Sequence, residues 1–242
     1  MSLRDRLRER LRHPLPGVAA HADAWPAELP ARHLEGPETG LKEAAVLLAL
    51  IPVAEDEERA PTASFTPTIS SPRPAVTGGR PDDERTDRRD AHFVLPLIER
   101  PATMIHHPGQ IALPGGRLRV GETVLECALR EAREEIGLSP ASVDVLGRLT
   151  PVSVPVSGHR VEVIVGWIEH LPEWKLDPRE VNRLILSDPD ELAREGASAR
   201  IERRLIDGRV QPVPAYRAGD ALVWGATALM LAEFLRVWRS VR

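Results

Sequence analysis

The stretch LPGGRLRVGETVLECALREAREEIGL (113–138) constrains the chain more tightly than any other part of it. It leaves a strand end through a glycine turn and enters a helix near Glu122 or Thr123. Gly137 supplies a residue that can take the left-handed conformation that stops a helix, and Leu138 can fold back to close it. Leu125, Leu129, Ala132 and Ile136 fall at i, i+4, i+7 and i+11, which makes one apolar stripe. Glu131 stands four residues from Glu135 and three from Glu134, so three carboxylates lie side by side, a quarter turn or more from that stripe.

A charged helix face needs no function: Arg130 and Glu134 pair at i,i+4, and such faces keep helices soluble. Three converging carboxylates, however, repel unless a cation sits among them. Hard divalent ions such as Mg²⁺ take oxygen ligands and leave positions for substrate phosphates. A backbone carbonyl of the flexible Gly115–Gly116 turn could complete the shell.

Around this segment the order of elements predicts a mixed sheet flanked by helices, an α/β or α+β arrangement. Leu3, Leu7 and Leu11 recur among arginines and predict a short helix ending before Pro14. EAAVLLALIP (43–52) and HFVLPLIE (92–99) predict buried strands that pair with each other. Residues 143–154, 160–170 and 182–188 are rich in valine and isoleucine and predict three more. SDPDELAREG predicts a helix capped by Ser187 or Asp188, and WGATALMLAEFLRVWRS (224–240) a long C-terminal one. The expected organisation is an N-terminal helix and connection over 1–40, then one domain over 41–242. A flexible insertion at 54–90, rich in proline, charge, serine and threonine, interrupts that domain.

The balance of 32 basic and 36 acidic residues argues against nucleic acid or an anionic membrane as partner, while allowing a local basic pocket. With Cys127 as the single cysteine, an intramolecular disulfide and a cysteine-based zinc site are excluded. The start has no apolar core of signal-peptide length, and no run of about 18 apolar residues occurs. A soluble cytoplasmic protein is expected. An exposed apolar side of the N- or C-terminal helix would favour a homodimer.

The central stretch resembles the Nudix box, G-x5-E-x7-R-E-U-x-E-E-x-G-U, where U is a bulky apolar residue. Gly116, Glu122, Arg130, Glu131, Glu134, Glu135, Gly137 and Leu138 match at the right spacing, and Ala132 stands where a larger aliphatic residue is usual. The resemblance implies a Nudix-type α/β/α sandwich carrying a catalytic loop–helix–loop. It implies Mg²⁺ or Mn²⁺ as cofactor, Glu131 and Glu135 as the main ligands, and help from Glu134 and the Gly116 carbonyl. Arg130 and Glu122 would brace the loop. The reaction implied is hydrolysis of a nucleoside diphosphate linked to another group, with a small molecule as partner.

Upstream, LIERPATMIHHPGQIALPGG (97–116) is similar to the signature of the coenzyme A pyrophosphatase branch, roughly L-L-T-x-R-S-x-x-L-R-x-H-x-G-Q-V-A-F-P-G-G. Arg100, Met104, His107, Gly109, Gln110, Ile111, Ala112 and Pro114 to Gly116 fit it. Ile98, Pro101 and Leu113 depart from it, and Ile105 replaces an arginine suited to phosphate. The resemblance implies cleavage of coenzyme A or acyl-coenzyme A, with Arg100, His107, Gln110 and Arg117 as candidate substrate contacts. Because of Ile105, phosphate recognition is expected from Arg100, Arg117 or Arg160, or else the substrate is another nucleoside diphosphate derivative such as ADP-ribose or NADH. A non-catalytic nucleotide-binding module is the alternative from another class. Cys127 and the tryptophans Trp167, Trp224 and Trp238 are expected to pack rather than react.

Overall fold

A computed structural model describes residues 1–26, 40–53, 64–65, 92–104, 107–154, 157–204, 208 and 210–242. The insertion expected at 54–90 lies outside the described residues, apart from the two-residue strand Ser64–Phe65. Residues 27–39, Ile105 and His106 lie outside them too.

The helices are α1 (Leu3–Leu11), α2 (Val18–His21), α3 (Val124–Ile136), α4 (Pro189–Glu195) and α5 (Gly225–Val241). The strands that form the main sheet are β1 (Lys42–Val53), β2 (Ser64–Phe65), β3 (His92–Glu99), β4 (Ile111–Ala112), β5 (Gly115–Arg117), β6 (Asp144–Arg148), β7 (Val152–Val154), β8 (His159–Trp167) and β9 (Arg183–Ser187). Their order is β2-β9-β3-β1-β8-β6, with β4 on β3, β5 on β1 and β7 on β8. A separate antiparallel meander, β10 (Ala199–Arg204), β11 (Val210–Ala218) and β12 (Ala221–Trp224), leads into α5. The sequence reading did not anticipate this meander.

β1 explains the sandwich. Its nearly continuous apolar run suits a strand covered on both faces. Ala45, Leu47, Ala49 and Ile51 pack in the cluster that holds Cys127, Ala128, Ala132 and Ile136 of α3. Ala44, Leu48 and Leu50 pack in the cluster shared with α1 and α5. β1 runs parallel to β8 from Lys42↔His159 to Leu50↔Trp167, and antiparallel to β5 at Ala45↔Gly116. The expected pairing with β3 occurs at its far end, Ile51↔Val94 to Val53↔His92. The fold is thus a mixed sheet between helical layers, as expected.

Two expectations change in detail. The single strand expected over 143–154 is two, β6 and β7, because buried Leu149 and the hydrogen-bonded Thr150 form a corner between them. On α3 the buried side is Cys127, Ala128, Ala132, Glu135 and Ile136. Leu125 and Leu129 lie at its rim, since the sheet meets the helix a little round from the predicted stripe.

On the other face Phe93 packs against Trp167 and Trp238, with ring centroids 5.2 and 5.4 Å apart. Trp224 instead carries Arg203 over its ring at 4.2 Å. Leu3 and Leu7 of α1 are buried, as are most apolar residues of α5, so both helices spend their apolar faces inside the chain. Arg183 of β9 bonds Glu99 and, at 3.0 Å, Asp220, tying the meander to the main sheet. No helix among the described residues is long and apolar enough to cross a membrane.

One buried carboxylate fastens the N-terminal segment. Glu233 of α5 is fully buried and accepts from the Gly17 amide (2.8 Å), the Thr150 amide (2.9 Å) and the Thr150 hydroxyl (2.7 Å). His21 Nε2 lies 3.8 Å away. Burial pushes the carboxyl pKa up, but His21, Thr150 and Gly17 together outweigh it and hold the group below its ordinary value. Removing such an acceptor orphans several donors, so Glu233→Ala is expected to cost about 3 kcal/mol in urea unfolding at pH 7. Because the folded pKa is depressed, the contribution is complete above the ordinary carboxylate pKa. The gap between variant and wild type should therefore narrow as the pH falls through the folded value.

Candidate functional site

The site is built where α3 faces β5. The helix begins with a reciprocal cap. Thr123 Oγ1 accepts from the Glu126 amide at 3.3 Å, and the Glu126 carboxylate accepts from the Thr123 amide at 2.8 Å. It ends at Gly137, whose φ of 75° is left-handed, with Leu138 donating back to the Ala132 carbonyl at 3.3 Å. The last carbonyls of a helix have no partner within it. Here those of Ile136 and Glu135 accept from the amides of Lys175 (3.1 Å) and Asp177 (3.0 Å). The segment after β8 is thereby hung across the helix end, which delivers Glu180 to the site.

Glu131, Glu135 and Glu180 each offer a carboxylate oxygen, all within 4.8 Å of one another. Glu135 is only 1% exposed. Its Oε2 accepts from the Gly115 amide at 2.8 Å, while buried Oε1 has no hydrogen-bond partner and lies 4.0 Å from Arg100 Nη1. Burial pushes the Glu135 carboxyl up to about 8, against the Gly115 amide, with Glu131 and Glu180 adding to the rise and Arg100 opposing it. Burial also raises Glu131. A cluster that is costly as three anions, with one orphaned oxygen, fits a divalent cation.

Arg130 holds the framework. Its Nε and Nη2 grip the two oxygens of Glu122 at 2.6 and 2.9 Å. Its Nη1 reaches Glu131 at 2.7 Å and Glu134 at 3.1 Å, and Nη2 also donates to the Arg117 carbonyl at 3.2 Å. The Arg130 bonds, helped by the Arg119 amide, outweigh burial and hold the Glu122 carboxyl down at about 2. Glu134 is engaged by Arg130 and, at 3.0 Å, by Arg119, and it stands outside the close group. The sequence reading expected Glu134 to help as a ligand and did not single out Glu180, which the structure brings beside Glu131 and Glu135. A lone glutamate in the turn LDPREV before a strand carries no spacing signal, and only the tertiary path over the end of α3 reveals it.

Gly116 is fitted to Glu131. A Cβ at Gly116 would lie 2.4 Å from Glu131 Oε1, and one at Gly115 would lie 2.4 Å from the Ala45 carbonyl oxygen. The Gly116 carbonyl accepts weakly from Cys127 Sγ at 3.5 Å. Cys127 itself is buried, and desolvation pushes its thiol up to about 11, so it packs rather than reacts.

The four candidate substrate contacts fall into two places. Arg100, at the end of β3, shares a backbone turn with Gln110, whose carbonyl accepts its amide at 3.0 Å, and its guanidinium reaches toward Glu135. Gln110 Nε2 lies beside Gly225 at the start of α5. His107 is exposed with a left-handed φ of 56°. Arg117 is exposed and pairs with Ala44, so it sits on the sheet face turned away from Glu131. Arg160, also considered for phosphate, pairs with Glu162 at 3.3 Å.

A family model described as "NUDIX domain" matches residues 85–206. An uncharacterized Nudix hydrolase, NudL, of Salmonella heidelberg (strain SL476) is 30% identical over 183 residues, spanning 66% of this chain and 86% of that protein. The protein of the same name from Salmonella newport (strain SL254) is 30% identical over 172 residues, 62% of this chain and 83% of that one. Among solved structures, the Nudix hydrolase RenU of M. Smegmatis aligns with a TM-score of 0.48 at 16% identity, covering 84% of this chain and 89% of that chain. A MutT protein from Methanosarcina mazei Go1 aligns with a TM-score of 0.44 at 13% identity, covering 83% and 96%.

The contact between Gly116 and Glu131 yields a specific expectation. In Gly116→Ala the new methyl group displaces the tip of a flexible side chain, so the melting temperature should change by only about 2–4 °C. Mn²⁺ affinity, measured by electron paramagnetic resonance, should fall by about tenfold or more, since the carboxylate is no longer where the cluster needs it.

Proposed function

The chain belongs to the Nudix hydrolase family, and we propose that it cleaves the diphosphate of coenzyme A or acyl-coenzyme A with Mg²⁺ or Mn²⁺. The products are 3′,5′-ADP and 4′-phosphopantetheine or its acyl form. The observation that carries the hydrolytic half is the Glu131–Glu135–Glu180 group with its orphaned buried oxygen. A cation held there would neutralise diphosphate oxygens and lower the pKa of a bound water.

The protein's own groups supply the rest. Arg130 fixes Glu131 and, through Glu122 and the Arg117 carbonyl, ties the loop to the helix. The Gly115 amide orients Glu135. Arg100 brings an always-charged fork to the edge of the cluster, where it can meet phosphate oxygens. The coenzyme A half rests on the match of residues 97–116 to the branch signature and on this placement of Arg100, the cationic side chain of that signature that reaches toward Glu135.

Purified protein with Mg²⁺ and coenzyme A should release those two products. An absence of turnover, alongside good turnover of ADP-ribose or NADH, would overturn the substrate. Glu135→Gln should lower kcat by at least about a hundredfold while nucleotide binding persists. Retained turnover would remove Glu135 from the metal site.

Because Glu135 in the metal-free site titrates at about 8, it is largely protonated at pH 7 and must lose that proton to become a ligand. Mn²⁺ binding at pH 7 should therefore release close to one proton, read from calorimetry in buffers of different ionisation enthalpy. Affinity should rise from pH 6 to 8 and level off above.

A further inference from the structure

A second polar cluster lies on the opposite face of the sheet, one residue from the acidic group. Arg117 follows Gly116 on β5 and pairs with Ala44, while Lys42 pairs with His159 across β1 and β8. Ala44 and Val161 share the core cluster on the α5 side, so strand alternation puts Arg117, Lys42 and His159 on that side together. The turn that ends in Gly158, with a left-handed φ of 69°, accepts the Lys42 amide on the Gly158 carbonyl at 2.8 Å. His159 is thus set at the corner where three strands begin or end.

His159 is only 9% exposed, yet its Nε2 is buried without a hydrogen-bond partner. Burial first, then Arg117, disfavour its charged form; a hydrogen bond to the Ser157 backbone favours it, and Lys42 and His107 add to the disfavour, which places those cationic groups within electrostatic reach of the ring. The neighbouring carboxylates do not balance them. Glu43 shares the face of Ala45, and Glu162 shares the face of Ile164 and pairs with Arg160. Among the described residues, neither Lys42 nor Arg117 has an ion pair. A buried ring nitrogen without a partner is costly, so its persistence beside two cationic side chains that have no ion pair among the described residues calls for an explanation.

We propose that Lys42, Arg117 and His159 form an anion subsite for a phosphomonoester of the substrate distinct from the diphosphate that is cleaved. Three strands at about 4.8 Å spacing make the subsite roughly 10 Å wide, and it begins beside Gly116, the residue that touches the cluster carboxylate Glu131. One substrate molecule can therefore reach both. The inference rests on the coenzyme A reading: coenzyme A carries a phosphomonoester on its ribose, whereas ADP-ribose and NADH do not. A dianionic phosphate would accept from Lys42 and Arg117, and its charge would favour the imidazolium of His159, whose Nε2–H then donates to it while the other ring nitrogen keeps its bond to the Ser157 backbone. The subsite also supplies cationic recognition that Ile105 does not.

The test measures binding of adenosine 3′,5′-bisphosphate and of 5′-AMP by calorimetry, for wild type, for Lys42→Ala/Arg117→Ala and for His159→Gln. Wild type should bind the bisphosphate at least about tenfold more tightly, and the advantage should shrink to about threefold or less in each variant. Equal binding of the two nucleotides by wild type, or an advantage undiminished in the double variant, overturns the subsite. Lys42 and Arg117 are both exposed, so the double variant decides the matter even if His159→Gln fails to fold.

Turnover of coenzyme A against dephospho-coenzyme A separates this idea from the reading beneath it. Equal turnover of both, with equal binding of the two nucleotides, removes the subsite and leaves the activity. No turnover of either, with the bisphosphate advantage present and lost in the double variant, removes the coenzyme A activity and leaves the subsite.

Discussion

The guanidinium of Arg130 is the interaction on which the site depends. It is nearly buried, and it grips Glu122 from the loop, Glu131 and Glu134 from its own helix, and the Arg117 carbonyl from the adjoining strand. A lysine could not do this, because only the planar fork presents several donors in fixed directions. With Arg130 in place, the loop, helix and strand form one rigid unit. Glu131 can then rest against the bare Cα of Gly116 and Glu135 against the Gly115 amide. The unit stands on β1, which packs in one cluster with α3 through Ala45, Leu47, Ala49 and Ile51 and in the cluster shared with α5 through Ala44, Leu48 and Leu50.

Much of this was legible because it is local. The spacing of Gly116, Glu122, Arg130, Glu131 and Glu135 encodes a loop and a helix whose contacts run within about twenty residues. The caps at Thr123 and Gly137 follow from the same short stretch. The C-terminal helix and the strands β1, β3, β8 and β9 were legible from periodicity and length, since each is long enough for burial to mark its residues. Two parts were not. In the meander of β10 to β12, β10 is mostly exposed and charged and β11 is interrupted by Pro212 and Pro214, so no apolar alternation announces it although Ala215, Tyr216, Ala218 and Val223 are buried. Glu180 reaches the site because two peptide groups hang from the end of α3, a tertiary contact that leaves no mark on the residues around it.

That Glu180 rather than Glu134 lies close to Glu131 and Glu135 has a simple geometric cause. On a helix, residues 131 and 135 are about 40° apart, whereas 134 and 135 are about 100° apart. Glu134 therefore turns toward the exposed guanidinium of Arg119 while Glu131 and Glu135 turn inward. A third oxygen for the inner pair must come from another element, and the chain crossing the helix end is the nearest. Sequence spacing could place three acids on one helix, but not decide which two share a side facing the sheet.

This arrangement also accounts for how carboxylates can be tolerated so deep. Glu135 faces a burial penalty that its one amide bond does not offset, which pushes its carboxyl up to about 8. Burial raises Glu131 too, with Arg130 opposing the rise. A site of this kind is not a stabilising feature of the fold. It is held by the capped helix, the glycine turn and the Arg130 fork at a cost that a cation would relieve. The paired groups around it, Glu122 with Arg130 and Glu134 with Arg119, are already satisfied and gain little from an ion. The contrast between satisfied outer carboxylates and an unsatisfied inner group marks the inner group as the part of the molecule that awaits a ligand.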